Sequence, residues 1–280
     1  MNSPHLAMAG PSGNMSRATF SRFRGLIYRL SGIALGEGKE GLVRARVSKR
    51  MRLLGLQDYE AYLDLLLADP SGEEIVHLLD VISTNVTSFF REESHFQVLS
   101  EIASRWRAEK RTRLRLWSAA CSTGEEPYSM AMTLLEASEA RPLDLKILAT
   151  DLSTRALAWA RAGTYSADKT AFVHRDFRTK YFDPDGRRAS MLRVGSELRK
   201  TVTFARLNLA ATPFPMSGPF DAVFCRNVMI YFDAEVRRRL LAQIHTLLRP
   251  GGYLFVGHSE SLSGLTAGFK TMQASVYVKT

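Results

Sequence analysis

The spacing of hydrophobic positions changes along the chain, and the change predicts two regions of different architecture. From residue 17 to about 85, apolar residues recur three and four positions apart, as they do on one face of a helix. From residue 114 onward, short apolar runs alternate with helical periodicity, which is typical of a parallel sheet covered by helices. We therefore predict a small N-terminal all-helical domain over residues 17–85, a linking segment with a helix over 86–113, and an α/β domain over 114–280.

The helical region predicts four helices, over residues 20–30, 42–54, 59–67 and 73–82. The second of them is strongly basic on its exposed face, which carries Arg44, Arg46, Lys49, Arg50 and Arg52. Charge is concentrated in this part of the chain. Between residues 17 and 56 there are ten basic residues against two acidic ones, while the whole protein has a net charge of +10. Such a surface favours an acidic partner, although a charged helix face is commonly just solvated.

The α/β region contains five apolar runs that predict the strands of a doubly wound sheet: residues 114–117, 145–150, 202–205, 222–225 and 253–256. A helix over 234–248 is expected to stop at Pro250-Gly251-Gly252, and the last residues could close as a hairpin. Between Tyr165 and Lys200 the alternation is interrupted by a strong turn signal and a short strand candidate. We predict a small antiparallel β-subdomain there, over about 174–200.

The loop after the first predicted strand has the character of a cofactor cradle. Residues 118–124 are small, and Pro127 suits a first helical turn. The loop has one glycine rather than the three of a dinucleotide fingerprint, and it lacks the lysine of a phosphate-binding loop. Glu125 and Glu126 would repel a pyrophosphate but welcome a cation, and S-adenosylmethionine carries an ammonium and a sulfonium. Alternatively, both glutamates are solvated and complement the helix dipole.

The second predicted strand ends at Asp151, and Ser153 follows as a plausible helix N-cap. An acidic residue at the tip of this strand can accept hydrogen bonds from both ribose hydroxyls of a nucleotide-type cofactor. An aspartate before a helix is often only a cap. The order of strand, small-residue loop, helix, strand and aspartate favours the cofactor site.

Composition sets further bounds on the kind of protein. No run of eighteen apolar residues is present, and residues 1–16 have the pattern of a flexible tail rather than a signal peptide. Cys121 and Cys225 are therefore expected to be free thiols in a reducing cytoplasm. The six histidines have no metal-like spacing, so no metal site is predicted.

Several sequence blocks occur together and in one order: residues 85–92 (NVTSFFRE), 117–129, 151, 208–209, 220–232 and 247–262. In these blocks the chain resembles the CheR family of bacterial chemotaxis receptor methyltransferases. The resemblance implies methyl transfer from S-adenosylmethionine, without a metal, to glutamate side chains on the cytoplasmic region of chemoreceptors. It also implies a helical N-terminal domain followed by a Rossmann-like methyltransferase domain with a β-subdomain, in agreement with the pattern above.

The resemblance also implies roles for individual residues. Cofactor-binding positions would be Asn85, Thr87, Arg91, Glu126, Asp151, Asn208, Leu209, Cys225 and Arg226, with Glu125 as a less certain neighbour. Arg91 and Tyr231 would be catalytic, with Arg91 holding the substrate carboxylate through its planar guanidinium. The alternatives are a surface salt bridge from Arg91 to Glu92 or Glu93, and core packing for Tyr231.

The implied partner is the acidic helical bundle of a chemoreceptor, on which the five basic residues of the second helix would dock. In some members of the family the β-subdomain binds a peptide at the receptor C-terminus, and residues 183–194, with Arg187, Arg188 and Arg193, do not decide this point. We expect a monomeric cytoplasmic protein that neither binds nucleic acid nor inserts into a membrane, and that is recruited to receptor clusters.

The sequence is compatible with two other functions. The basic charge suits a nucleic-acid methyltransferase, but residues 225–228 read Cys-Arg-Asn-Val rather than the tetrad that amino-methylating enzymes of that kind carry. Neither cysteine follows a proline, as the nucleophile of cytosine C5 enzymes does. The second possibility is a regulatory relative that binds cofactor or receptor without activity.

Overall fold

The computed structural model describes residues 14–139, 142–186, 190–262 and 268–280. The chain divides into two compact units, residues 1–84 and 85–280. Most of the predicted tail, together with Arg187 and Arg188, lies outside the described residues.

The first unit is all-helical, as predicted. It contains α1 (Arg17–Ser31), α2 (Glu40–Leu54), α3 (Tyr59–Ala68) and α4 (Glu73–Ile82). Ser16 and Asp58 cap the N-termini of α1 and α3, because each accepts a hydrogen bond from the backbone amide of the third residue of its helix. The apolar faces of the helices meet in one core, which includes Phe23, Ile27, Val47, Met51 and Tyr62, all fully buried.

The second unit begins with a helix and continues as an α/β domain. In chain order it contains α5 (Ser94–Ala108), β1 (Arg113–Ser118), α6 (Glu125–Ala137), β2 (Asp144–Asp151), α7 (Thr154–Ala162), β3 (Thr164–Ser166), α8 (Ala167–Thr170), α9 (Arg175–Tyr181), β4 (Phe182–Pro184), β5 (Met191–Val194), α10 (Ser196–Arg199), β6 (Val202–Arg206), β7 (Phe220–Cys225), α11 (Ala234–Leu247), β8 (Leu248–Val256), β9 (Phe269–Gln273) and β10 (Val276–Lys279). The helix predicted within residues 86–113 is α5.

Seven strands form the main sheet in the order β6-β2-β1-β7-β8-β10-β9. The five strands from β6 to β8 are parallel, and β10 and β9 add an antiparallel edge, as the predicted closing hairpin. The chain leaves β1 toward β2 on one side of the sheet and later adds β7 on the other. In such sheets the crevice beyond the carboxyl ends of the strands, where the order reverses, is where ligands bind.

The structure corrects the prediction for the segment before β8. The helix α11 ends at Leu247, and Pro250-Gly251-Gly252 lies inside β8 rather than between the helix and the strand. Gly251 has a positive φ of 71°, and the pairing of β7 with β8 shifts register between Phe220 and Ala222. A bulge of this kind accommodates proline and glycine within a strand, so the turn signal marks an irregular strand here.

The antiparallel β-subdomain is present as a separate three-stranded sheet in the order β3-β5-β4. Its first strand begins at Thr164, upstream of the predicted start at about residue 174. The Tyr165 hydroxyl donates to the carbonyl oxygen of Thr123 (2.7 Å), and Lys180 pairs with Glu136 of α6 (2.6 Å). Among the described residues, no helix combines the length and the apolar character that crossing a membrane requires.

Candidate active site at the carboxyl edge of the sheet

The loop between β1 and α6 requires glycine at position 124. Gly124 has a φ of 97°, and an added Cβ would lie 2.8 Å from the Ala160 Cβ and 2.9 Å from the Tyr165 hydroxyl oxygen. A side chain would therefore be strained in its backbone and would collide with α7 and the β-subdomain. The close packing leaves the small-residue loop and the first amides of α6 at the carboxyl edge of the sheet, the arrangement expected of a cofactor cradle.

Asp151 lies at the end of β2 and braces this loop. One carboxylate oxygen accepts a hydrogen bond from the Ser122 amide (2.8 Å) and the other accepts one from the Ser153 amide (2.9 Å). The residue is 9% exposed, so its charge is held in one place at the edge of the sheet. This position and charge suit the hydroxyl groups of a ribose.

The two glutamates at the start of α6 have different hydrogen-bond and ion-pair partners. Glu126 is buried and accepts hydrogen bonds from the Ser118 hydroxyl (2.7 Å) and from Arg226 (3.0 Å). Burial raises the pKa of Glu126, against the opposing effect of Arg226 and Ser118. Glu125 instead pairs with Lys169 of α8 (2.5 Å) and accepts from Thr123 (2.6 Å). Glu125 therefore helps to attach the β-subdomain, and only Glu126 faces the Arg226 cluster.

Arg226 is the centre of that cluster. Its side chain is 1% exposed and bridges two acids, with one guanidinium nitrogen 3.0 Å from Glu126 and the other 3.1 Å from Glu92. The second nitrogen also donates to the carbonyl oxygen of Arg91 (2.5 Å). The guanidinium thus joins the segment before α5 to the start of α6. The resemblance implies contact with the cofactor for this residue, and the structure shows its guanidinium as a buried bridge between Glu126 and Glu92.

Glu92 was not predicted as a site residue, and it holds three separate segments together. Besides Arg226, it accepts hydrogen bonds from the Asn227 side chain (3.0 Å) and the His258 amide (3.2 Å). Burial alone would raise the pKa of Glu92. The pKa is nevertheless lowered, because Asn227 and Arg226 donate hydrogen bonds to the carboxylate and Arg226 also carries a positive charge. Glu92 is therefore a carboxylate in the folded protein.

Arg91 makes none of the alternative salt bridges within the described part of the chain. It donates to the carbonyl oxygen of Val86 (2.9 Å), and its side chain is half-buried. The segment that carries it is fixed to α6, because the Phe90 amide donates to the Ser129 hydroxyl (3.0 Å).

The other predicted site residues occupy loops at the same edge of the sheet. Asn208 and Leu209 follow β6, and Tyr231 lies half-buried in a short 3-10 turn after β7. Asn85 and Thr87, both half-buried, precede Arg91. Cys225 ends β7 and is completely buried, so its thiol faces the protein interior, where burial raises its pKa.

A histidine pair beside Glu92 was also missed, because its members are far apart in sequence. Possible ligand atoms of Glu92, His95 and His258 lie within 4.8 Å of one another. Both oxygens of Glu92 already accept hydrogen bonds from protein groups. His95 is 1% exposed, and neither ring nitrogen has a hydrogen-bond partner among the described residues. Burial lowers the pKa of His95 to about 4; Arg226 and His258 add to this effect and Glu92 opposes it.

His95 makes the folded protein sensitive to mild acid. The unfolded chain binds the proton below about pH 6.5, while the native state stays neutral until about pH 4. Stability is therefore full above pH 6.5 and falls as the pH drops through this window, by about 2 kcal/mol between pH 7 and pH 5. Urea unfolding at both pH values checks this, with His95→Leu expected to remove most of the difference. An unchanged pH dependence in that variant would contradict the assignment.

Two family models match the chain, one in each unit. The family model "CheR methyltransferase, all-alpha domain" matches residues 18–83, and "CheR methyltransferase, SAM binding domain" matches residues 85–278. The chemotaxis protein methyltransferase of Salmonella typhimurium is 40% identical over 94% of this chain and 90% of its own. That of Escherichia coli is 41% identical over 94% and 91%. Chemotaxis protein methyltransferase 2 of Pseudomonas aeruginosa is 40% identical over 94% and 93%.

These matches cover both units of the chain and most of each relative. They agree with the all-helical first unit and with a methyltransferase second unit, and they give no support to a nucleic-acid methyltransferase. The chain belongs to the CheR family, as an S-adenosylmethionine-dependent protein methyltransferase of chemotaxis.

Proposed function

We propose that this protein esterifies glutamate side chains on the cytoplasmic region of chemoreceptors. The observation that carries the proposal is the bridge made by Arg226. It joins Glu126, in the proposed cofactor cradle, to the segment that bears Arg91. One buried cluster would therefore support both the cofactor side and the substrate side of the site.

The described residues fit the cofactor. The cradle at Gly124 excludes a side chain, and Asp151 offers a fixed carboxylate to the ribose. Asn208 and Leu209 would flank the adenine, and Cys225 would contribute to the same wall as part of the β7 end. Asn85, Thr87, Arg91 and Glu126 would line the amino-acid end, above Arg226. When bound, S-adenosylmethionine supplies an electrophilic methyl group.

The residues around the reacting centre act by orientation. A glutamate substrate is already ionised at neutral pH, so the site needs no general base. Arg91 would hold one carboxylate oxygen in a charge-assisted hydrogen bond and leave the other to react. Arg226 cannot take this role, because both of its terminal nitrogens are committed to Glu126, Glu92 and the Arg91 carbonyl. Tyr231 would close the site and keep water out.

Substitution of Arg91 tests this assignment. Arg91→Ala is expected to lower kcat for receptor methylation by about 100-fold, since positioned groups of this kind contribute on that order. Its affinity for S-adenosylhomocysteine should fall much less than kcat, because Arg91 is one of four residues at the amino-acid end of the cofactor and Asp151 and the Gly124 loop are intact. Calorimetry and transfer of radiolabelled methyl groups measure the two quantities. Arg239→Ala, on the exposed side of α11, is the matched control. Full turnover in Arg91→Ala with normal cofactor binding would contradict the role.

The predicted docking surface on α2 is smaller than five residues. Arg50 forms a two-point pair with Glu74 (2.8 and 2.6 Å), and Arg46 donates to the Ile82 carbonyl and the Thr84 hydroxyl. Arg44, Lys49 and Arg52 are exposed. We propose these three as the docking surface for an acidic receptor helix, because their charges are available to a partner.

Charge reversal separates the two groups of basic residues. Lys49→Glu with Arg52→Glu should raise KM for the receptor by about ten-fold at low salt while kcat at saturation is unchanged, because electrostatic steering acts on association. Lys270→Glu, on the exposed strand β9, is the matched control. Arg50→Gln should instead lower the stability of the first unit, because it leaves Glu74 without its cation. An unchanged KM for the receptor in the double variant would exclude this surface as the docking site.

A further inference from the structure

The segment after β7, residues 226–231, is held in place by the carboxylate of Glu260, in addition to that of Glu92. Its oxygens accept four backbone hydrogen bonds, from the amides of Asn227 (2.7 Å), Val228 (2.9 Å), Ile230 (3.3 Å) and Gly257 (2.6 Å). Glu260 is 7% exposed. We call this arrangement the Glu260 clamp.

The backbone of the segment is shaped around this carboxylate. Asn227 has a positive φ of 56°, and a left-handed residue next to right-handed ones turns successive N–H groups toward one point, forming a nest for an anion. Here the anion is a side chain of the same protein. The space is fully used, because a Cβ on Gly257 would lie 2.5 Å from the Asn227 side-chain nitrogen and 2.8 Å from a Glu260 oxygen.

The clamped segment connects two parts of the site. At its start, Arg226 bridges Glu126 and Glu92. At its end, Tyr231 lies in the 3-10 turn, whose residue Ile230 donates its amide to Glu260. The clamp therefore sets the path of the backbone between the buried cation and the tyrosine that we place at the reacting centre.

We propose that Glu260 is a positioning residue for methyl transfer: it fixes the segment 226–231, and thereby Tyr231, without touching substrate or cofactor. The inference rests on the role proposed above for Tyr231. A glutamine cannot replace the carboxylate, because its amide group would present N–H donors to backbone N–H groups. Loss of the clamp loosens the segment at its Tyr231 end, while Arg226 still secures its start.

The test compares Glu260→Gln with Glu235→Gln, a glutamate exposed on the first turn of α11. We expect Glu260→Gln to lower kcat by about 10- to 100-fold, with the KM for receptor and the affinity for S-adenosylhomocysteine within about three-fold of wild type. Hydrogen exchange should show lost protection confined to the amides of residues 227, 228, 230 and 257. Gly257→Ala, which crowds the clamp without removing its charge, should reproduce both effects.

A double-mutant cycle separates positioning from a purely structural role. If Glu260 acts through Tyr231, the loss caused by Glu260→Gln should shrink to less than about three-fold in the Tyr231→Ala background, which removes the ring that closes the site. Unchanged kcat per folded molecule in Glu260→Gln and Gly257→Ala would overturn the proposal, as would losses that multiply independently. Absence of glutamate methyl ester formation by the wild-type protein would instead overturn the proposed function, and the two failures are distinguishable.

Discussion

Asp151→Asn should weaken binding of S-adenosylhomocysteine by about 100-fold or more. The substitution removes the negative charge that would accept hydrogen bonds from both ribose hydroxyls, each worth about 1.5–3 kcal/mol to a charged group. In the native protein the Ser122 and Ser153 amides each donate a hydrogen bond to the carboxylate. The substitution would place an amide N–H donor against one of these backbone donors, and that hydrogen bond would be lost. Calorimetric titration measures the loss directly.

The matched control is Asp144→Asn, because Asp144 begins the same strand at the opposite edge of the sheet. It pairs with Arg115 at the surface (2.5 Å), far along β2 from the site. The affinity of Asp144→Asn for S-adenosylhomocysteine should equal that of wild type. Equal binding by Asp151→Asn and wild type would remove Asp151 from the site and require another account of the cofactor cradle.

Arg226→Met should destabilise the second unit by about 3–5 kcal/mol, the usual cost of leaving a buried charge without its partner. Glu126 is buried and would lose its only described cation. Glu92 would keep the hydrogen bonds from the Asn227 side chain and the His258 amide, and the nearby His95 ring (3.4 Å). All three tryptophans lie in the second unit, so fluorescence during urea unfolding reports on that unit.

Neutralising Glu126, the acid that Arg226→Met leaves without its cation, should restore part of the lost stability. In Arg226→Met with Glu126→Gln, we expect stability to recover by more than about 1 kcal/mol relative to the single variant, because contacting charges are not additive. Arg239→Met is the surface control, with no measurable change expected. Two independent losses that simply add would show that Glu126 does not depend on Arg226.

The fold was predictable because it depends on periodicity that is local in sequence. Helices α1 to α4 and the main strands each bury a regular set of apolar positions, so the pattern alone places them. The segment at Pro250-Gly251-Gly252 was not predictable, since a bulge and a helix end share the same residues. These residues form a bulged strand because they pair with β7, about 30 residues earlier in the sequence, and the local pattern does not show this pairing.

The site was predictable only where a motif marked it. Asp151 ends β2 and Gly124 closes the loop between β1 and α6, both at places that the pattern located. Glu92 and Glu260 instead act through partners in other segments. The contacts of Glu92 join positions 92, 227 and 258, and no local signal connects them. Likewise, the helical pattern placed Arg46 and Arg50 on the outer face of α2, and only the structure shows their partners at Ile82, Thr84 and Glu74.

The attachment of the β-subdomain limits how this enzyme can be re-engineered. Tyr165 and Lys169 belong to the insertion, yet they hold Thr123 and Glu125 at the entrance to α6. A chimaera that exchanges residues 164–200 for those of another methyltransferase would remove these two supports of the loop before α6 and leave Asp151 as a third. Grafts in this subdomain should therefore keep these two side chains and vary only β4, the edge strand on the side away from β3.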